Sequence, residues 1–232
     1  MTDAIAPPNV DDLRRRHAGL LERLRQIAAD HGHDPDRLRV VAVTKGWPIE
    51  VARAALDAGL TMLGENRVQE AEPKIAALPE ADWHLVGRLQ SNKARRAARA
   101  FELIHSVDSI ALLERLSGIG HDEARRARLL LQVNATGEAT KAGMKPEALL
   151  ESAPALPGTP VIGLMTIARM DASSDEARAA FRQLRELRDR VEQASGIGLP
   201  ELSMGMSADA DVAASEGATL VRIGTALFGP RP

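Results

Sequence analysis

Short runs rich in valine, leucine and isoleucine recur along the chain, each followed by a helix-patterned stretch, and this alternation leaves few folds open. The first run is RVVAVTK (39–45), and MLGEN (62–66), WHLVG (83–87) and ELIHSVD (102–108) follow it. ARLLLQVN (127–134), PVIGLMTI (160–167), ELSMGMS (201–207) and LVRIGTALFG (220–229) bring the count to eight. Between them, helical spacing predicts helices over 49–58, 67–78, 91–100, 109–116, 146–152, 174–194 and 209–216. Strands that alternate with helices, without hairpin signals, are parallel and joined by right-handed crossovers. A stretch with Leu13, Leu20, Leu21, Leu24 and Ile27 at helical spacing precedes the first run. The expectation is therefore one (β/α)8 barrel, a TIM barrel of class α/β, with an extra N-terminal helix. An open doubly wound sheet would more often carry a glycine fingerprint after its first strand, whereas here that turn reads Lys-Gly-Trp-Pro. Residues 1–9, with Pro7 and Pro8, are expected to form a flexible arm, and residues 10–232 a single domain.

Composition removes several functions. A net charge of −2 supplies no general field for nucleic acid or anionic membrane. The absence of cysteine excludes disulfides, thiolate metal sites and cysteine nucleophiles. The first residues lack a charged n-region and an apolar h-region, and no run approaches the ~18 apolar residues of a membrane span, so a cytoplasmic protein is expected. His31, His33, His105 and His121 lack metal-ligand spacing, and no metal is expected.

In a barrel the C-terminal strand ends converge on one mouth. Alternation puts Val41, Val43 and Lys45 on one face of the first run, so an amine ends a buried strand. An isolated lysine there would ordinarily cap the strand and reach to water. The other strand ends bring Asn66, His84, Met165, Thr166, the 203–207 stretch and the 222–225 stretch to the same mouth. Gly224 and Thr225 follow an inward Arg222, and Ser207 opens a strand-to-helix turn. Backbone N–H groups at such turns, with a hydroxyl, cradle a phosphate. A lysine facing a phosphate cradle suggests a phosphorylated carbonyl compound. Pyridoxal 5′-phosphate (PLP), held as a Schiff base on Lys45, is the obvious candidate.

The blocks VAVTK, GENRVQE (64–70), WHLVGRLQSNK (83–93), IHSVDS (104–109), GLMTI (163–167), LSMGMSAD (202–209) and VRIGTALFG (221–229) resemble the YggS/PROSC family of PLP homeostasis proteins. The resemblance runs from about residue 10 to 229. It implies a barrel like the N-terminal domain of alanine racemase, without that enzyme's second domain. It also implies PLP buffering, or delivery to PLP-dependent apoenzymes; the protein is expected to be a monomer that binds neither nucleic acid nor membrane. By the same resemblance Lys45 is the Schiff-base lysine and Asn66 lies near the cofactor. Ser207, Gly224 and Thr225 contact the phosphate, and Arg222 faces the pyridine nitrogen. His84, Met165, Ser203 and Met206 are carried over as further cofactor neighbours. Ala208 stands where relatives often have glycine, and Thr44 where serine is common.

Residue chemistry favours binding over turnover. PLP withdraws electrons best when a carboxylate keeps its ring nitrogen protonated, and a permanently cationic Arg222 would face an unprotonated one. Racemisation also needs a second base on the opposite face, supplied in racemases by a tyrosine; this chain has no tyrosine. Losing one positioned acid or base costs about 10²–10⁴ in rate. A PLP-dependent racemase or lyase is the alternative. Glu65 and Glu70 are expected to be structural ion-pair partners, and Lys93, Arg95, Arg96 and Arg99 a solvated helix face. The 134–143 loop is long for a strand-to-helix connection and reads as a lid or an ordered structural loop.

Overall fold

In a computed structural model the eight runs become eight parallel strands that close on themselves in sequence order, β1 pairing with β8. The structure describes residues 8–122, 127–136, 138, 142–169 and 171–230. Most of the 1–9 arm, part of the 134–143 loop including Lys141, and the segment just after His121 lie outside them. The strands are β1 (Arg39–Val43), β2 (Met62–Glu65), β3 (Asp82–Leu85), β4 (Leu103–Val107), β5 (Arg128–Gln132), β6 (Val161–Met165), β7 (Glu201–Met206) and β8 (Leu220–Ile223). The helices are α1 (Val10–Asp30), α2 (Ile49–Asp57), α3 (Val68–Ala77), α4 (Ala94–Ala100), α5 (Ile110–Asp122), α6 (Pro146–Ser152), α7 (Ser174–Ser195), α8 (Ala210–Ser215) and α9 (Thr225–Phe228).

Side-chain alternation divides the apolar residues into two bodies. Val40, Ala42, Leu63 and Leu85 face outward into a continuous layer with the helices, where Phe181, Leu184, Leu187 and Val191 of α7 are buried as their spacing predicts. Val41, Leu103, Leu130, Met165 and Leu220 face inward and fill the barrel, which is a packed core rather than a channel. α1 is the extra helix, and Asn9 caps it by accepting the Asp11 and Asp12 N–H groups. Its Arg16 donates to the Leu227 carbonyl at 2.9 Å, so this helix braces the end of α9.

Several boundaries differ from the sequence reading, and α5 runs on to Asp122 where the spacing predicts an end near Leu116. LVRIGTALFG is a strand only to Ile223; Gly224 then turns the chain into the one-turn helix α9. The 91–100 stretch begins as a 3₁₀ turn over Ser91–Lys93 before α4. Ala94, Ala97 and Ala98 pack inward, while Arg95, Arg96 and Arg99 are exposed and Arg96 pairs with Glu72.

Candidate functional site

β1 delivers Lys45 to the C-terminal mouth two residues beyond its end, in phase with Val41 and Val43. Directly after it the chain turns back. Gly46 takes a φ of +72°, and the Trp47 N–H donates to the Thr44 carbonyl at 3.1 Å. Trp47 leaves the turn with its ring 6.3 Å from that of Phe228 in α9, which ties this corner to the last strand.

Two strands round the barrel, in β7, Gly205 has a φ of +90°, and a Cβ there would lie 2.5 Å from that of Ala213, so β7 and α8 approach at a distance only glycine allows. The Met206 N–H donates to Asp209 Oδ1 at 2.6 Å, and the Ala226 N–H to Ser207 Oγ at 3.2 Å. The first bond closes the turn after β7, and the second ties that turn to the start of α9. Ala208 needs no left-handed backbone, since no described non-glycine residue has a positive φ.

Lys45, Met206, Ser207, Arg222, Gly224 and Thr225 line one cavity of about 310 Å³. Val43, Trp47, Ala208 and Gly229 complete its wall. The volume is at the lower end of the ~300–1,000 Å³ range of small-molecule sites. Six of the ten residues expected at the cofactor thus share one cavity, at the ends of the adjacent strands β1, β8 and β7. Asn66 lines a neighbouring recess of about 480 Å³ with Arg67, Arg88 and Lys93. Its backbone is pressed on Gly87, where a Cβ would sit 2.3 Å from the Asn66 carbonyl oxygen.

His84, Ser203 and Met165 are not among the residues that line this cavity. Met165 belongs to the apolar filling of the barrel. His84 and Ser203 belong to a buried chain that ends at the cavity. Arg222 donates from Nη1 to Ser203 Oγ at 2.5 Å and from Nη2 to the Thr166 carbonyl at 2.9 Å. Ser203 Oγ is 2.8 Å from His105 Nδ1, and His105 Nε2 is 3.0 Å from His84 Nδ1. The directions follow from satisfaction. Ser203 accepts from Arg222, and His105 Nδ1 is the acceptor within its reach, so its proton goes there. His105 then carries its proton on Nε2 and donates to His84 Nδ1, leaving His84 protonated on Nε2.

Burial sets the charges in this chain. It pushes the His84 pKa down to about 3, helped by the positive fields of Arg128 and Arg39. Burial, His84 and Arg222 hold His105 well below the usual imidazole range. Both rings are therefore neutral near pH 7. Burial also lowers the Arg222 pKa to about 10, against a smaller opposing pull from Asp209, and the guanidinium stays cationic. No described carboxylate is close enough to pair with it.

The sequence reading missed His105. The signal was alternation in ELIHSVD, which puts Leu103 and His105 on the inward face beside His84. Glu65 and Glu70 are ion-pair partners as expected: Glu65 Oε1 is 2.6 Å from Lys74 Nζ in the core, and Glu70 Oε1 is 2.8 Å from Arg67 Nη1 at the surface. Lys74, only 8% exposed, was not anticipated inside.

This geometry has known counterparts. The model of the alanine racemase N-terminal domain matches residues 19–232, which defines the class: a parallel barrel of the alanine racemase type. The solved alanine racemase of Corynebacterium glutamicum shares that fold at 17% identity and a TM-score of 0.73, over 97% of this chain and 62% of the enzyme. Within the class, the pyridoxal phosphate homeostasis protein of Aquifex aeolicus is 41% identical over 221 residues, 93% of this chain and 97% of its own. That of Pseudomonas aeruginosa is 43% identical over 219 residues, 92% and 94% of the two chains. The structure of PipY from Synechococcus elongatus with PLP bound is 43% identical with a TM-score of 0.79, over 90% of this chain and all of PipY. The chain belongs to the pyridoxal phosphate homeostasis protein family.

Proposed function

We propose that this protein binds PLP in the cavity between β1, β7 and β8 and acts in PLP homeostasis, buffering the cofactor or delivering it to apoenzymes. Lys45 Nζ would hold its aldehyde carbon as a Schiff base. Ser207, Gly224 and Thr225 would take the phosphate, and Arg222 the ring nitrogen. The observation that carries this reading is the convergence of Lys45, Arg222 and the Ser207 and Thr225 turns on one cavity, within a family whose relative PipY has been solved with PLP. When bound, PLP supplies an aldehyde that condenses reversibly with amines and a ring that can accept electrons.

The chain's own residues suit holding better than turnover. Arg222 enters the cavity as a cation already anchored by Ser203 and the Thr166 carbonyl, and it has N–H groups left to donate. A donor fixed there favours an unprotonated ring nitrogen and weakens the electron sink. Lys45 is the only amine, carboxylate or imidazole among the described residues of the wall. His84, the one imidazole among the expected cofactor neighbours, is buried as a neutral ring whose proton affinity is low. The reading is therefore a carrier without efficient catalysis. No described helix is long and apolar enough to cross a membrane, in keeping with work in the cytoplasm.

Reconstitution tests this. Adding PLP to the protein should give a visible imine band that is absent in Lys45→Ala. A band that survives in the variant, or its absence from the native chain, would overturn the assignment. Assaying both proteins for amino-acid racemisation separates the carrier from a racemase, and a Lys45-dependent rate well above background would favour the enzyme.

A further inference from the structure

Behind Lys45, on the helix side of the sheet, the barrel holds an ion pair where apolar packing would be expected. Glu65 is fully buried and Lys74 nearly so. Every polar atom of Thr44, the residue just before Lys45, is engaged there. Its N–H donates to the Gly64 carbonyl at 2.9 Å, and its hydroxyl donates to Glu65 Oε1 at 2.7 Å. Its carbonyl accepts from Lys74 Nζ at 3.0 Å and from the Trp47 N–H at 3.1 Å. Lys74 closes the set by donating to the same Glu65 oxygen at 2.6 Å.

A buried ion pair is a poor way to gain stability, because desolvation offsets its attraction and an apolar pair of similar size often does as well. This one also leaves Glu65 Oε2 without a hydrogen bond among the described residues. Its contacts fall on one peptide unit. The Thr44 carbonyl belongs to the peptide that carries the Lys45 nitrogen, so Lys74 holds the plane from which the Lys45 side chain departs into the cavity. β1 has already ended at Val43, and the glycine turn at Gly46 follows, so this peptide lies beyond the strand, where Lys74 adds a second hydrogen bond to the one that its carbonyl accepts from the Trp47 N–H.

We infer that the Thr44–Glu65–Lys74 cluster is a positioning device for Lys45: it fixes the backbone from which the amine reaches the aldehyde and leaves the phosphate anchor to β7 and β8. This rests on the functional reading above. An aldehyde carbon must meet the amine within a narrow range of distance and angle, and small misplacements of a reacting group are costly. On that reading the noncovalent part of binding depends on Ser207, Gly224, Thr225 and Arg222, none of which is hydrogen-bonded to the cluster.

The test compares PLP with pyridoxine 5′-phosphate, which has the same phosphate and ring but no aldehyde. In the double variant Glu65→Met/Lys74→Met, the pair is replaced by apolar side chains of similar length. Its urea midpoint should stay near the wild-type value, and its affinity for pyridoxine 5′-phosphate should change by less than about twofold. Its affinity for PLP should fall by about tenfold or more. Thr44→Val removes only the hydroxyl, and should shift the same ratio by a few-fold while Thr44→Ser restores it; this pair carries the test if the double variant does not fold. Unchanged affinity for PLP in a folded variant would overturn the inference, and so would an equal loss for both ligands. Wild-type protein that binds the two ligands equally would instead refute covalent capture itself.

Discussion

Lowering the pH from 7.5 to 5.5 should weaken the fold through two buried imidazoles. In the unfolded chain His84 titrates near 6.5, whereas in the barrel burial holds it near 3. Over this interval the unfolded state takes up a proton that the folded state refuses, so stability is present above the unfolded pKa and is lost as the pH falls. Between pH 7.5 and 5.5 the loss from His84 alone is roughly 1–2 kcal/mol, and it keeps growing until the pH nears the folded value. His105 is depressed for the same reasons and adds in the same direction. With an m-value of about 3 kcal/mol/M, the His84 loss lowers the urea midpoint by about half a molar. His17 and His33 are also depressed, chiefly by burial, so the informative quantity is the difference between proteins rather than the slope itself. His84→Gln should be less stable at pH 7.5, since it disturbs the hydrogen bond to His105, but should lose less on acidification. Urea unfolding at the two pH values measures this. Equal losses in wild type and His84→Gln would refute the reasoning, because they would mean that His84 is accessible to protons in the folded barrel.

The hydrogen-bond chain also predicts tautomers: ¹⁵N shifts of His84 and His105 should report both rings protonated on Nε2, and an Nδ1-protonated His105 would contradict the Arg222-to-His84 direction. Gly205→Ala combines a positive φ with a Cβ contact of 2.5 Å, and should cost roughly 1–3 kcal/mol in urea unfolding. Lys74→Met alone leaves the Glu65 carboxylate buried and unpaired, and should cost about 3–5 kcal/mol, far more than the double substitution that removes both charges.

Much of this architecture could be read from the chain because barrel physics writes it plainly. Strands buried on both faces read as apolar runs, helices read as periodic stretches, and strand ends mark the mouth. Lys45, Ser207, Arg222, Gly224 and Thr225 were legible because each sits at such an end. What escaped depends on pairings remote in sequence. His105 looked like an isolated ring until Ser203, 98 residues away, was seen beside it. Lys74 follows Pro73 in a stretch dense with charge, where a lysine is normally solvated; only the Glu65 partner across the helix–strand interface accounts for its burial. His84, Ser203 and Met165 are expected near the cofactor from the family resemblance; in the structure His84 and Ser203 belong to the hydrogen-bonded chain that reaches Arg222, and Met165 to the apolar filling of the barrel. The strand-like look of 220–229 misled because Thr225 and Leu227 suit either structure, and Gly224 alone decides where β8 ends.

Borohydride reduction of the PLP-reconstituted protein, followed by peptide mapping, tests the central claim most directly. A single stable phosphopyridoxyl adduct on the peptide carrying Lys45 is the expected result. Label at another lysine, or spread evenly over the surface amines, would contradict it.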